Sequence, residues 1–178
     1  MLQYMVMYTS KTGNTKQVAK EIFAALPGMS KDICDLEEKT GVKEADTYFV
    51  GFGVNCGTCD IDVMDALTSL HGKNIVLFGT CGMGSSEAYY QKIEHSIQAF
   101  VQDDCDYLGA FLCQGKMPMQ VRCKYEDIMH QGIEPNTVKR MISNFDEALL
   151  HPDEEDMKHV REFVGCILEK LSQCQEIK

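Results

Sequence analysis

The sequence contains no tryptophan, no long apolar run, no excess of positive charge and no stretch rich enough in Pro, Gly or Ser to read as a linker. No run approaches the roughly 20 apolar residues of a membrane-spanning helix. The first residues do not lead from a basic segment into a long apolar core. The expectation is therefore a cytoplasmic protein with no membrane partner. Lys and Arg number 17 against 27 Asp and Glu, a formal charge of −10 with a pI near 4.9. A field of that sign repels nucleic acid and suits a protein partner with a basic docking surface. There is no internal repeat and no composition break, so residues 1–178 read as one domain. A hydrophobic content of 44% over 178 residues is enough to build a core.

Two phosphate-binding signatures are missing as well. Neither the G-x-x-x-x-G-K-[ST] loop of triphosphate sites nor the G-x-G-x-x-G of dinucleotide folds occurs. What stands in their place is Met5-Val6-Met7-Tyr8-Thr9-Ser10-Lys11-Thr12-Gly13-Asn14-Thr15. An apolar run stops abruptly in small and hydroxyl-bearing residues broken only by Lys11, and a helical pattern begins at once. A strand feeding a short loop that opens a helix aims free backbone N–H groups and the positive end of the helix dipole at one spot. Phosphate is the natural occupant, with Ser and Thr hydroxyls adding donors. Ser and Thr also cap helices without binding anything, so the loop alone leaves that reading open.

Along the chain, strand-like and helix-like patterns alternate. Strands are expected at residues 2–8, 32–36, 46–51, 74–79 and 107–113, and the first is apolar throughout, as a strand covered on both faces should be. The first helix carries Val18, Ile22 and Leu26 on one stripe and ends at Pro27-Gly28. After the second strand the connection is acidic and short. The later helices carry Val63, Met64, Leu67 and Leu70, then Tyr89, Ile93, Ile97 and Phe100. Small-residue loops follow the third strand (Phe52-Gly53-Val54-Asn55-Cys56-Gly57-Thr58-Cys59-Asp60) and the fourth (Thr80-Cys81-Gly82-Met83-Gly84-Ser85-Ser86). Such alternation implies a parallel sheet with right-handed crossovers, whose ligand lies beyond the carboxyl ends of the strands. The loops after strands one, three and four should meet there. Residues 116–178 form a helical extension packed on this plan. Helices are expected at 122–131 and 135–150, and a last one carries Met157, Val160, Val164, Ile167 and Leu171 on one stripe. His151, in the turn before that helix, reads as structural and not as a metal ligand.

With every hydroxyl position filled, Ser10-Lys11-Thr12-Gly13-Asn14-Thr15 resembles the phosphate loop of flavodoxins. Val50-Gly51-Phe52, Gly57-Thr58, Phe78-Gly79-Thr80, Phe111-Leu112-Cys113-Gln114-Gly115-Lys116 and His151-Pro152-Asp153-Glu154-Glu155-Asp156 extend the resemblance, to flavodoxin-domain proteins of anaerobic bacteria, over nearly the whole chain. The last two segments mark a subgroup and carry no obvious chemistry. The resemblance implies an α/β, flavodoxin-like three-layer fold with a five-stranded parallel sheet in the order 2-1-3-4-5. It also implies non-covalent flavin mononucleotide (FMN). The phosphate would lie against Thr9, Ser10, Lys11, Thr12, Gly13, Asn14 and Thr15, with Ser10, Thr12, Asn14 and Thr15 as side-chain donors. Phe52, Gly53, Val54, Asn55, Cys56 and Gly57, and Thr80, Cys81, Gly82, Met83 and Gly84, would flank the isoalloxazine.

The missing tryptophan now has a consequence. Flavodoxins stack an aromatic ring on the flavin from the loop after strand three, and Gly53 stands where relatives of this subgroup carry one. Phe52 is the nearest replacement, unless it faces the core, since successive strand residues point to opposite faces. Met83 reads as a gap-filling side chain at the flavin edge. Cys56 and Cys59 form a CxxC beside a helix start, open to packing, thiol redox or metal chemistry. Nine cysteines, an odd number, suit free thiols in a reducing compartment. The expected function is an electron carrier serving a partner redox enzyme, as a monomer or weak dimer. The alternatives are an FMN-dependent NAD(P)H or quinone-type oxidoreductase, and a flavodoxin fold with altered flavin binding and Cys56/Cys59 redox.

Overall fold

A computed structural model describes residues 1–38, 41–84 and 86–176, with side chains as far as residue 173. Ser85 of the expected site loop lies outside the described residues. Five parallel strands form the sheet, β1 (Leu2–Tyr8), β2 (Lys31–Asp35), β3 (Ala45–Gly53), β4 (Asn74–Cys81) and β5 (Asp106–Gln114), in the order β2-β1-β3-β4-β5. The helices are α1 (Asn14–Ala25), α2 (Ile61–Ser69), α3 (Glu87–Gln98), α4 (Met119–His130), α5 (Pro135–Ala148) and α6 (Glu154–Glu176). Among the described residues between β2 and β3 there is a 3₁₀ turn, Leu36–Glu38, and this crossover is the short one its acidic sequence suggested.

Side-chain alternation along each strand sorts the core into two layers. Tyr4, Val6, Tyr8, Phe49, Val76 and Phe78 face α1 and α6. Met5, Met7, Tyr48, Val50, Phe52, Ile75 and Leu77 face α2 and α3. Because both faces are covered, the inner strands read as continuous apolar runs. They also extend further than their patterns suggested. Phe52, Gly53, Thr80, Cys81 and Gln114 belong to the sheet, since Phe52 registers with Gly79, Gly53 with Thr80 and Cys81 with Gln114.

That extension corrects the expectation for Phe52. Gly51 stands beside Phe78 and Phe52 beside Gly79 on the neighbouring strand. Each ring lies over the partner glycine. A Cβ on Gly79 would come 2.5 Å from Phe52 Cε2, and one on Gly51 would enter the Phe78 ring. Phe52 is 0% exposed. It fills the core under β3 and cannot stack on a ligand.

The extension divides into two parts. α6 packs on α1 and β5 and buries Met157, Val160, Val164 and Ile167. α4 and α5 pack on each other, with Arg122 paired to Asp146 and its guanidinium 5.7 Å from the Phe145 ring centroid. α5 buries Val138, Phe145 and Ala148, whereas α4 has no fully buried residue. His151 has a structural place. Its Nδ1 lies 2.6 Å from Asp156 Oδ2, which also accepts the Asp153 N–H at 2.9 Å, while Asp153 Oδ1 accepts the N–H groups of Glu155 and Asp156 at 2.9 Å. These bonds start α6.

Two outcomes are expected. Gly79→Ala should lose about 1–3 kcal/mol, the usual cost of overpacking, read from the urea midpoint with an unchanged slope. The bond to Asp156 raises the His151 pKa above its ordinary value of 6.5. A raised folded-state pKa contributes stability below the unfolded value that is lost as pH rises through the folded one. The stability gap between wild type and His151→Asn should therefore be widest near pH 5 and shrink above pH ~7. Urea midpoints at the two ends of that range measure it.

Candidate cofactor site at the carboxyl ends of the strands

The turn between β1 and α1 is built to leave donors unused. Gly13, at φ 84°, occupies the left-handed region that glycine enters without strain, and it begins α1 with no side-chain cap. The N–H groups of a first helical turn have no intrahelical acceptor. Ser10 Oγ takes one of them, from Lys16, at 3.0 Å. Asn14 is buried and does not point its amide at an incoming anion. Its Nδ2 donates to Thr12 Oγ1 at 2.9 Å and to the carbonyl of Lys116 at 2.8 Å, so the side chain is a strut between two loops. Thr15 Oγ1 and Thr80 Oγ1 are 2.9 Å apart and hydrogen-bonded. Among the described residues one buried side-chain polar atom has no partner, and it is here: Thr9 Oγ1.

A cleft of about 290 Å³ opens above these groups. Of the expected residues, Thr9, Lys11, Thr12, Asn14, Thr15, Gly53, Val54, Asn55, Thr80, Cys81 and Gly82 line it. Ser10, Gly13, Phe52, Cys56, Gly57, Met83 and Gly84 do not. Ser10 and Gly13 shape the helix start, and Cys56 and Gly57 lie in the tight turn closed by the Asn55–Thr58 bridge. Sequence reasoning missed Asp60, Gly115, Lys116, Met117 and Pro118, which complete the wall. The segment set aside as a chemically silent subgroup marker therefore supplies one side of the site. Gly115 is required there, since a Cβ would stand 2.7 Å from Asn14 Nδ2. Met117 packs over Gly82, where a Cβ would meet its side chain.

The charges around the cleft are few. Lys11 Nζ is 2.8 Å from Asp60 Oδ1, and that bond raises the Lys11 pKa, with Glu37 and Asp62 adding to it. Lys116 brings a second cation that the three expected loops lacked. The thiols are quiet. Burial pushes Cys81 up to about 12 and Cys59 up to about 11, so both stay protonated at neutral pH. Cys59 packs in the α2–α3 core. Only Cys56 of the CxxC is exposed, which argues against a dithiol redox pair.

The sequence matches the flavodoxin domain over residues 5–165. This chain belongs to the flavodoxin-domain family. It is 31% identical to the flavodoxin-like domain-containing protein BilS of Clostridioides difficile (strain CD3), over 96% of this chain and 99% of that one. A second BilS, from Clostridium symbiosum (strain WAL-14163), is 30% identical over 92% and 94%. Among solved structures, the flavodoxin of Streptococcus pneumoniae TIGR4 superposes with a TM-score of 0.57 at 16% identity, covering 94% of this chain and 99% of that one, which is a likeness of fold. FMN is the cofactor of this family, and the residues of this flavodoxin-domain site fit it. The cleft combines an orphaned buried hydroxyl, a helix start whose N-cap glycine offers no side chain, and two lysines in its lining.

The two ionic neighbours should act in opposite senses. Asp60→Asn relieves Lys11 and should tighten FMN about two- to fivefold at low salt, whereas Lys116→Ala should weaken it by a similar factor. Riboflavin, without phosphate, should be insensitive to both. Fluorescence titrations at ~0.02 and ~0.5 M salt check the assignment, and the differences should fade at the higher strength.

Proposed function

We propose that this flavodoxin-domain protein is an electron carrier that binds FMN at the carboxyl ends of β1, β3 and β4 and exchanges electrons with a basic redox protein. The observation that carries this reading is the unpartnered Thr9 hydroxyl buried at the floor of the cleft, beside the uncapped start of α1. A buried hydroxyl without a partner costs roughly 1–3 kcal/mol, and a phosphate ester or ribityl oxygen would satisfy it.

Bound FMN supplies the redox chemistry, by accepting and releasing electrons at its ring. This chain's own groups hold and surround it. The N–H groups of the α1 start, with the Thr12 hydroxyl, would grip the phosphate as charge-assisted donors. Gly53–Asn55, Cys81–Gly82 and Met117–Pro118 would exclude water at the opposite end. The protonated Cys81 thiol offers no nucleophile there. Glu37, Asp60 and Asp62 gather on the Lys11 side of the rim, so negative charge developing in the cleft is opposed by like charge. The same acidic rim favours a basic partner and repels the pyrophosphate of a nicotinamide cofactor.

Anaerobic reduction tests the proposal. NADH or NADPH alone should bleach the flavin slowly. A basic flavodoxin reductase should do so quickly, with a rate that falls severalfold as salt rises from ~0.05 to ~0.5 M. Rapid saturable bleaching by a nicotinamide alone, with turnover on a quinone, would make the protein a direct oxidoreductase instead. Failure to bind FMN would remove both readings.

A further inference from the structure

Loop 80–84 poses a problem of order. It contributes Cys81 and Gly82 to the cleft, yet two of its five residues are glycines, which lose the most conformational freedom when fixed. Thr80 and Cys81 are paired within the sheet, and the amides that hold Gly82 and Gly84 come from far along the chain. Asn144, on α5, reaches it with both ends of its amide: Nδ2 donates to the Gly82 carbonyl at 2.8 Å, and Oδ1 accepts the Gly84 N–H at 3.1 Å. Gln114, at the end of β5 and buried, adds Nε2 to the same Gly82 carbonyl at 3.2 Å and to Asn144 Oδ1 at 3.2 Å. Gly84 packs against the Gln114 amide so closely that a Cβ would strike it.

We propose that Asn144, seconded by Gln114, is a positioning residue that fixes loop 80–84 as the ring-end wall of the flavin site. The inference rests on the FMN reading for its ligand, but the clip itself belongs to the folded chain. Because the Gly82 carbonyl accepts from two amides, the Gly82–Met83 peptide cannot rotate without losing both bonds. A trans peptide sets C=O and N–H in opposite directions. The Met83 N–H is thereby locked as well, and the loop offers a bound ring one backbone geometry. Asn144 touches neither the phosphate loop nor the cleft, so its influence should be confined to one end of the ligand.

This confinement makes the role testable. In Asn144→Ala, FMN and riboflavin affinities should fall together, by about five- to twentyfold, and the flavin's midpoint potential should shift. In the flavin-free protein, the Gly84 amide should exchange its hydrogen at least tenfold faster, with the amides of residues 14–16 unchanged. Asp146→Ala, which removes the Arg122 ion pair on the same helix, should leave all of these near wild type and serves as the control for mere loosening of α5. Unchanged loop exchange in Asn144→Ala would overturn the proposal. So would a loss for FMN that riboflavin does not share. If the wild-type protein bound neither flavin, the FMN reading would fall, while the exchange measurement would still decide whether the clip orders the loop.

Discussion

Buried polar groups in folded proteins are almost always hydrogen-bonded, and the structure concentrates its one described exception at the end of β1. Thr9 Oγ1 is buried without a partner where the chain turns into a helix whose N-cap residue, Gly13, offers no side chain. Much of the architecture serves to keep that spot unsatisfied. β2 and β3 leave β1 on opposite sides, so no crossover covers its carboxyl end. Gly13 turns the backbone without presenting a side chain, and Ser10, Asn14 and Thr15 spend their polar atoms on neighbours instead of filling the cleft. An anion is what such a site lacks.

How much of this could be read in the sequence depended on the range of the interaction. The strand patterns are local, and they yielded the alternation of strands and helices in a parallel sheet; the sheet order came with the family resemblance. Phe52 went either way because a strand residue's face depends on register, and register here is set by Gly79 on another strand. Asn14 looked like an anion donor by its place in the motif. Its real partner, the Lys116 carbonyl, is remote in sequence and nothing nearby signals it. The same distance hid Gln114 and Asn144. Gly115 did carry a signal, a glycine right after a strand, but only the approach of Asn14 explains it.

One part of the helical extension differs from the rest of the molecule in charge. Its segment from Lys116 to Leu150 holds five basic and five acidic residues, so the whole −10 of the chain resides elsewhere. The neutral segment walls the cleft through Met117 and Pro118, while the acidic side chains gather on the Lys11 side. A charged partner approaching this rim meets an asymmetric field. Long-range attraction would orient it toward α2 and the 3₁₀ turn, leaving the extension to make short-range contacts.

The two ends of the cleft also differ in what holds them. The end proposed for the phosphate is made by residues adjacent in sequence, on a helix pinned to the sheet by Val18, Ala19 and Ile22. Loop 80–84, at the other end, depends on an amide from α5, which is paired with a helix that has no fully buried residue. Local opening draws on segments with few buried contacts. In this molecule that criterion selects α4, and with it the α4–α5 pair that carries Asn144. An opening there would release the loop while leaving the α1 start intact, so a flavin could loosen at its ring while still held by its phosphate. The reverse order would require α1 to leave the core, which costs far more. The proposed ring end would thus be the adjustable one, because the amide that holds its loop sits on a helix paired with α4, which has no fully buried residue.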